Sequence, residues 1–337
     1  MKIIITGGAG FVGARLASKL LQLGALSIAG RAVAPISNIV IAARISAPPD
    51  LAQDPRIISE TGDLFDQLQS GNSNLLARHR DVAAIFHLAA AVSGECEVNF
   101  DLGMRSNYAT THALLESARA LQTQPMVFFA SSIAVFGTTL HHPFPDEIVD
   151  TTLPTPQTSY GIQKLIGEQL MADYARKGFI RARSARLATV SVRSGRPNGA
   201  ASGFFSGMIR EPLNGVRCAI PVSPDIVHSL SSPSKTVEHI IECVRISDDA
   251  WGPRSALNLP AVHTTVGEMA QTLRQVAGEQ VHSLLDWAID PAIERIVKGW
   301  PTRIASPRAR ALGMTPNENF KEIVRMHMQE NHPDMLS

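Results

Sequence analysis

Apolar residues in the first half of the chain form short runs, and these runs alternate with segments in which apolar positions recur at helical intervals. Residues 2–6 read as a buried strand, a glycine-rich turn follows, and residues 11–23 read as an amphipathic helix ending near Gly24. Five more strands are predicted at residues 38–43, 56–60, 83–87, 126–130 and 183–187. Long helices are predicted at residues 104–121 and 160–177.

This alternation predicts an α/β fold of the Rossmann type, a doubly wound parallel sheet with its ligand at the carboxyl ends of the strands. Beyond about residue 190 the pattern decays. Five prolines then interrupt the chain: Pro197, Pro212, Pro221, Pro224 and Pro233. We therefore predict a dinucleotide-binding domain over residues 1–190 and a smaller, irregular, mainly substrate-binding portion over residues 191–337.

Charge and cysteine content narrow the class of protein. Lys and Arg number 31 against 30 Asp and Glu, so there is no basic field that would favour nucleic acid as a partner. Three widely spaced cysteines predict neither a disulfide framework nor a metal site. The first apolar run is too short for a signal peptide, and no run reaches the roughly 20 residues that span a bilayer. A cytoplasmic protein is expected.

The glycine-rich turn is the first chemical signal. Thr6-Gly-Gly-Ala-Gly-Phe-Val-Gly13 joins the first strand to the first helix, where free N–H groups and the helix dipole favour a pyrophosphate. Gly7 would form the tight turn, Gly10 would let the backbone approach the phosphate, and Gly13 would let helix and strand pack closely. Phe11 and Val12 would lie against the same group. A glycine turn without a ligand is the alternative.

The ends of the second and third strands carry signals for the adenosine half of a cofactor. Ala43-Arg44 stands where a carboxylate would bind the 2′-hydroxyl of NAD, so Arg44, with Arg31 as a possible helper, favours the 2′-phosphate of NADP. Asp63, followed by Leu64, could bind the adenine amino group, could cap the next helix, or could do both.

The fourth strand ends in His87-Leu-Ala-Ala90, and the small residues leave room for a nucleotide beside Leu88, Ala89 and Ala90. We interpret His87 itself as a core histidine.

Tyr160 and Lys164 lie one helical turn apart, about 30 residues after the strand that leads into Ser131 and Ser132. A tyrosine of pKa about 10 is a poor base at neutral pH, and a lysine ammonium on the same helical face would stabilise its tyrosinate. Ser132 would hold the substrate oxygen. The alternative is that Tyr160 caps a helix and Lys164 is solvated.

With these motifs the chain resembles the extended short-chain dehydrogenases/reductases, in the branch that includes nucleotide-sugar epimerases. The resemblance adds Asn107, Ser131-Ser-Ile-Ala-Val-Phe-Gly137 and Arg186-Leu-Ala-Thr189 to the segments above. It implies that Ser132, Tyr160 and Lys164 are catalytic and that Asn107 is a helper in the long helix. It also implies cofactor contacts by Ser131 and Asn107 and by three residues beside the nicotinamide: Leu187, Thr189 and Val190. Tyr160 and Lys164 are expected to contact the cofactor as well, with the Lys164 ammonium bound to the nicotinamide ribose.

One departure separates the chain from the sugar-nucleotide enzymes. They carry an arginine three or four residues before the histidine of a segment like Val227-His228, and the chain has Ser223-Pro-Asp-Ile there. Several segments are instead similar to the D-erythronate dehydrogenases: Val92-Ser-Gly94, Phe100-Asp-Leu-Gly103, Pro156-Gln-Thr-Ser-Tyr-Gly161, Arg210-Glu-Pro-Leu213 and Asp290-Pro-Ala-Ile-Glu-Arg-Ile-Val297. That sub-family oxidises the C2 hydroxyl of a four-carbon sugar acid. It is usually NAD-linked, so Ala43 and Arg44 depart from it.

A sugar acid needs groups for its carboxylate and its hydroxyls. We expect Ser93 and His228 to contact it, then Asn198, with Arg193 and Arg196 as further candidates. For each of these residues a surface or structural role is the alternative. A nucleotide-sugar epimerase or reductase is the alternative function, and a nucleotide-sensing protein without turnover is a weaker one. The resemblance also implies a homodimer that pairs the helices at 104–121 and 160–177.

Overall fold

The computed structural model describes residues 1–69, 71–195 and 202–336. The chain divides into two compact units. The first comprises Met1–Ser132, Thr158–Arg186 and Val237–Leu257, and the second comprises Ile133–Gln157, Leu187–Thr236 and Asn258–Ser337. The predicted division at residue 190 concerns which residues bind cofactor and which bind substrate, and it stays a prediction.

Strands and helices alternate through the first half of the chain, as the hydrophobic pattern predicts. The strands are β1 (Lys2–Thr6), β2 (Ala25–Leu26), β3 (Ala34–Pro35), β4 (Asn38–Ala43), β5 (Ile57–Thr61), β6 (Val82–His87), β7 (Met126–Ser132), β8 (Arg181–Leu187), β9 (Thr189–Val190), β10 (Cys218–Ile220), β11 (Val227–Ser231), β12 (Leu257–Asn258), β13 (Val262–Thr265) and β14 (Leu285–Trp287). The six predicted strands are confirmed, with ends that differ by at most two residues.

The helices include the three long predicted ones and several that the pattern did not indicate. They are α1 (Phe11–Leu23), α2 (Pro49–Ala52), α3 (Leu64–Gln69), α4 (Leu75–Arg78), α5 (Ser93–Val98), α6 (Phe100–Gly103), α7 (Thr110–Leu121), α8 (Ser159–Arg176), α9 (Gly203–Leu213), α10 (Pro233–Arg245), α11 (Asp248–Trp251), α12 (Val266–His282), α13 (Pro291–Lys298), α14 (Pro307–Ala311) and α15 (Phe320–Asn331). Short 3₁₀ turns cover Gly71–Ser73, Ile133–Val135 and Pro333–Leu336. In the described part of the chain, no helix has the length and apolarity needed to cross a membrane.

A seven-stranded sheet has the order β12-β8-β7-β6-β1-β4-β5 and confirms the Rossmann-type α/β fold. Strand β1 pairs in parallel with β4 on one side and with β6 on the other. The strand order reverses at β1, and folds of this type bind ligands at such a reversal, outside the carboxyl ends of the strands, here those of β1 and β6. The β1 run Ile3-Ile-Ile5 is fully buried, because both faces of the sheet are covered.

The long helix predicted at 104–121 has a different first turn. Met104–Ala109 forms a π-helical turn that leads into α7. The hydroxyls of Thr110 and Thr111 donate to the carbonyls of Arg105 (2.8 Å) and Asn107 (2.6 Å) and support this wider turn. The homodimer stays a prediction. On the two helices that it would pair, Tyr108 of the π turn and Ile162 of α8 are apolar side chains that are partly exposed.

The first unit buries an ion pair between a helix and a strand. Arg186 of β8 donates from Nε (2.9 Å) and Nη2 (2.8 Å) to the two carboxylate oxygens of Glu168 on α8. The two side chains are 5% and 2% exposed, so this is a bidentate pair in the core. Ser131 of β7 donates its hydroxyl to the same carboxylate at 2.5 Å. The carboxylate therefore joins β7, α8 and β8.

The second unit is more regular than its prolines predicted. Strand β11 lies between β9, which is parallel to it, and β13, which is antiparallel. Prolines stand in the first turn of α10, α13 and α14, where a missing N–H costs no helical hydrogen bond and the fixed φ angle suits a helix. Its core is formed by α9, α12 and α15, with Phe205, Met208 and Leu273 fully buried.

Replacing Arg186 with Met should lower the free energy of unfolding by about 3–5 kcal/mol, because the Glu168 carboxylate would remain buried without its partner. The matched control is Arg176→Met on α8, since Arg176 is 62% exposed and its pair with Asp173 is solvated. That control should change stability by less than about 1 kcal/mol. Urea unfolding midpoints measure both, and equal losses would contradict a special role for the buried pair.

Candidate active site

The glycine turn after β1 has the geometry that a phosphate-binding turn requires. Gly7 has φ +70°, a left-handed conformation that favours glycine. Its N–H donates to the carbonyl of Ala42 at 2.8 Å, and Gly10 N–H donates to the carbonyl of Gly7 at 2.9 Å. The turn is therefore closed on itself and tied to β4.

Added side chains would fill this turn. A Cβ atom at Gly13 would lie 2.3 Å from the carbonyl oxygen of Gly7, and one at Gly7 would lie 2.9 Å from Ala89 Cα. Helix α1 starts at Phe11 with Gly10 as its N-cap, so no capping side chain binds its first N–H groups, and these remain available to an anion. The residues present therefore fit the pyrophosphate of a dinucleotide.

His87 is a core histidine, as interpreted from the sequence. Its Nδ1 lies 2.7 Å from Thr6 Oγ1 and its Nε2 lies 3.0 Å from Thr111 Oγ1. Burial, with a smaller contribution from the Lys164 charge, lowers the pKa of His87 to about 3. The imidazole is neutral and joins the end of β1 to α7. Leu88, Ala89 and Ala90 follow it directly.

Charged side chains surround the end of β4, where the adenosine ribose is predicted. Arg44 lies 3.6 Å from Asp63, and Asp63 also pairs with Arg105 at 3.1 Å. Arg105 reaches Asp66 at 2.6 Å and lies over the Phe65 ring, 4.5 Å from its centroid. Arg44 remains 68% exposed.

Asp63 is also the cap of α3. Its Oδ1 accepts from the N–H groups of Phe65 (3.0 Å) and Asp66 (3.3 Å), which confirms the predicted cap at the start of Leu64–Gln69. Arg31 lies in the exposed connection between β2 and β3. Its part in cofactor selection stays a prediction.

Helix α8 carries Tyr160 in its first turn and Lys164 one turn later. Thr158 caps the helix by accepting from Gly161 N–H at 3.1 Å. Lys164 is 3% exposed, and its ammonium donates to the carbonyl of Ala130 at 2.8 Å. The same ammonium lies 5.6 Å from the centroid of the Tyr160 ring. The alternative of a solvated Lys164 is therefore wrong.

Burial governs the charge on this lysine. It lowers the pKa of Lys164 to about 8, and the charges of Cys96 and Glu168 oppose that shift. Ser132 ends β7 two residues beyond Ala130, so the strand that holds the ammonium also carries the predicted serine. Sequence reasoning missed Glu168, although its position four residues after Lys164 places it on the same face of α8.

Two further predicted cofactor residues of the first unit are buried. Ser131 is 2% exposed and its hydroxyl binds Glu168. Asn107 is 3% exposed and binds the backbone of Ala91, in the segment that follows β6. Ser93, the predicted substrate residue, begins α5 and is partly exposed.

In the second unit, Thr189 and His228 form one hydrogen bond, with 2.7 Å between Oγ1 and Nε2. His228 is 2% exposed, stacks on Phe205 at 4.3 Å and lies 5.6 Å from the Trp300 ring. Burial, with a smaller contribution from His263, lowers the pKa of His228 to about 3. His228 is therefore a neutral core residue that orients Thr189, and its predicted contact with substrate is untested.

Three more predicted residues, Leu187, Val190 and Arg193, lie at or near strand ends. Leu187 ends β8 and Val190, which is buried, ends β9. Arg193 donates from Nε to the carbonyl of Val190 at 3.2 Å. Asn198 and Arg196 lie outside the described residues.

Comparison with known proteins identifies the family. Residues 3–226 match the model of the NAD dependent epimerase/dehydratase family. The chain is 43% identical to a D-erythronate dehydrogenase of Cupriavidus necator over 98% of both chains. It is 36% identical to a D-erythronate dehydrogenase of Haemophilus influenzae over 98% of this chain and 99% of the relative.

A solved structure agrees with these matches. The nucleoside-diphosphate-sugar epimerase from Agrobacterium tumefaciens superposes with a TM-score of 0.90 and 37% identity, covering 100% of this chain and 96% of that one. At the level of the family, the predictions of a nicotinamide cofactor and of a dehydrogenase-type enzyme are confirmed. The chain belongs to the NAD dependent epimerase/dehydratase family of extended short-chain dehydrogenases/reductases.

Proposed function

We propose that the enzyme oxidises the C2 hydroxyl of a short sugar acid, such as D-erythronate, to the 2-keto acid. The observation that carries the chemistry is the buried ammonium of Lys164, held by the carbonyl of Ala130 beside the Tyr160 ring. The observation that carries the substrate class is the likeness to two D-erythronate dehydrogenases along nearly the whole chain.

Tyr160 is the proposed general base. An isolated tyrosine loses its proton near pH 10, and a cation within a few ångström favours the tyrosinate. The ammonium of Lys164 is that cation. Since it is buried, little solvent screens its attraction for the phenolate oxygen.

The proton and the hydride leave the substrate in different directions. Tyr160 takes the proton from the C2 hydroxyl, and the hydroxyl of Ser132 holds the same oxygen as it becomes a carbonyl. The nicotinamide, when bound, supplies the acceptor for the hydride from C2. Loss of one proton and one hydride converts the secondary alcohol to a ketone and leaves the carboxylate unchanged.

We also propose that NADP is preferred to NAD. Arg44 follows β4 directly, and no carboxylate occupies that strand end to bind a 2′-hydroxyl. Its ion pair with Asp63 is long and solvated, so it contributes little energy and leaves the guanidinium available to a phosphate. Arg105 shares the charge of Asp63, which weakens the repulsion that this carboxylate would exert on a 2′-phosphate.

A nucleotide-sugar epimerase is the second candidate, favoured by the likeness to the Agrobacterium epimerase. Such an enzyme would use the same three catalytic side chains but would retain its cofactor through each turnover. Initial rates of NADP and NAD reduction with four- to six-carbon sugar acids, run beside uridine-diphosphate sugars, distinguish the two. Turnover of erythronate or a near relative supports the dehydrogenase. Conversion of a nucleotide-sugar, with no activity on any of the acids, supports the epimerase.

Tyr160→Phe should lower kcat by about 10²- to 10⁴-fold, because it removes the group that takes the proton. Cofactor affinity should change little, since the ring and Lys164 remain. The control is Tyr108→Phe, a partly exposed tyrosine that stacks on His112. Steady-state rates and cofactor fluorescence measure both effects; unchanged turnover in Tyr160→Phe across the substrate panel would exclude the proposed base.

Arg44→Ala should lower kcat/KM for NADP by about 10- to 100-fold, because it removes charge-assisted hydrogen bonds to the 2′-phosphate. The value for NAD should stay within about threefold. Arg176→Ala, another solvated arginine of the first unit, is the control and should leave both values unchanged. A wild-type enzyme that prefers NAD, or a variant that loses both cofactors equally, would contradict the proposed selectivity.

A further inference from the structure

A chain of two buried amides connects the segment after β6 to the catalytic helix. Asn107, on the π turn, accepts the N–H of Ala91 at its Oδ1 (2.8 Å) and donates from Nδ2 to the carbonyl of Ala91 (3.3 Å). The same Nδ2 donates to Oε1 of Gln163 at 2.8 Å. Asn107 and Gln163 are 3% and 1% exposed, so water does not compete for these bonds.

The donors and acceptors available in this chain fix the orientation of both amides. A backbone N–H can only donate, so Asn107 must present its oxygen to Ala91 and its NH₂ group to Gln163. Gln163 must then present its own oxygen. Reversal of either amide would place two donors or two acceptors face to face, so the pair has one arrangement.

Each end of this chain lies next to a predicted functional segment. Ala91 directly follows Leu88–Ala90, and a Cβ atom on Gly7 of the phosphate turn would lie 2.9 Å from Ala89 Cα. Gln163 lies between Tyr160 and Lys164 in α8. Lys164 holds this helix to β7 through Ala130, and Gln163 holds it to the π turn, about 100° further round the helix.

Because Gly103 has no side chain, there is room for the contact between Gln163 and the π turn. A Cβ atom on Gly103, the last residue before the π turn, would lie 2.6 Å from Gln163 Nε2 and 3.1 Å from Cys96 Sγ. The Gln163 amide is thus packed against the backbone of Gly103 as well as bound to Asn107, and its position admits little freedom.

We infer that Gln163 is a positioning residue, which through Asn107 and Ala91 fixes the first turn of α8 relative to the segment that receives the cofactor. This inference rests on the proposed roles of Tyr160 and Lys164. Without the amide, the first turn of α8 loses its bond to the π turn and keeps the bonds of Lys164 to Ala130 and of Ser159 N–H to Glu97. Both cofactor binding and the stabilisation of the Tyr160 phenolate by Lys164 then weaken.

Gln163→Met tests this, because methionine is similar in length and volume but lacks the amide. We expect the dissociation constant for reduced cofactor, from fluorescence, to rise about tenfold. We expect the ionisation midpoint of Tyr160 to rise by about half a pH unit. The chain has only three tyrosines, so tyrosinate absorbance of each protein minus that of its Tyr160→Phe counterpart isolates this midpoint.

Two further variants separate positioning from packing. Gln163→Glu keeps an acceptor for Asn107 and should restore cofactor binding to within about threefold of the wild type. Gln169→Met, the same change at an exposed site of α8, should alter neither readout. If Gln163→Met does not fold, Asn107→Asp, which keeps the acceptor for Ala91 and removes the donor to Gln163, takes its place with the same expectations.

The inference is wrong if the amide-free variant binds cofactor and titrates like the wild type, or if Gln163→Glu binds as poorly as Gln163→Met. Neither readout needs a sugar acid, so a failure of the proposed substrate would leave this test intact. A catalytic defect in Tyr160→Phe alone would likewise say nothing against Gln163.

Discussion

The buried carboxylate of Glu168 is the interaction on which the proposed catalytic side of the first unit depends. It accepts from Arg186 and from Ser131, and its charge also helps to keep Lys164 protonated against the effect of burial. One anion thus joins β7, β8 and α8 and supports the cation one turn earlier on the same helix. An ion pair desolvated to this degree is costly unless every oxygen is bound, and here both are.

The cofactor side of the same unit depends on the absence of side chains. Glycines at positions 7 and 13 allow the backbone of the phosphate turn, the start of α1 and the segment after β6 to approach more closely than any Cβ atom would permit. No side chain caps the backbone N–H groups at the start of α1, so they are available to an anion. At the proposed adenosine end, the charges of Arg44 and Arg105 balance those of two aspartates, so the proposed selectivity depends on local contacts rather than on net charge.

Much of this could be predicted from the sequence because the determining signals are local. Runs of β-branched residues predicted β1 and β4, and the glycine spacing predicted the turn. Helical spacing predicted that Tyr160 and Lys164 share one face of a helix. Pairs between distant residues carry no such signal. The contacts of Asp63 with Arg105 and of Asn107 with Gln163 join residues 42 and 56 positions apart, and only the folded chain reveals them. The same holds for His228, whose burial follows from its packing on Phe205.

The fate of the hydrogen on C2 tests the proposed reaction most directly. D-Erythronate deuterated at C2 would be incubated with the enzyme and oxidised cofactor, and the reduced cofactor and the product would be examined by NMR and mass spectrometry. Direct oxidation at C2 predicts one deuterium at C4 of the nicotinamide and an unlabelled 2-keto acid. Reduced cofactor without deuterium, formed while the acid keeps its label, would show that another carbon is oxidised and would contradict the proposal.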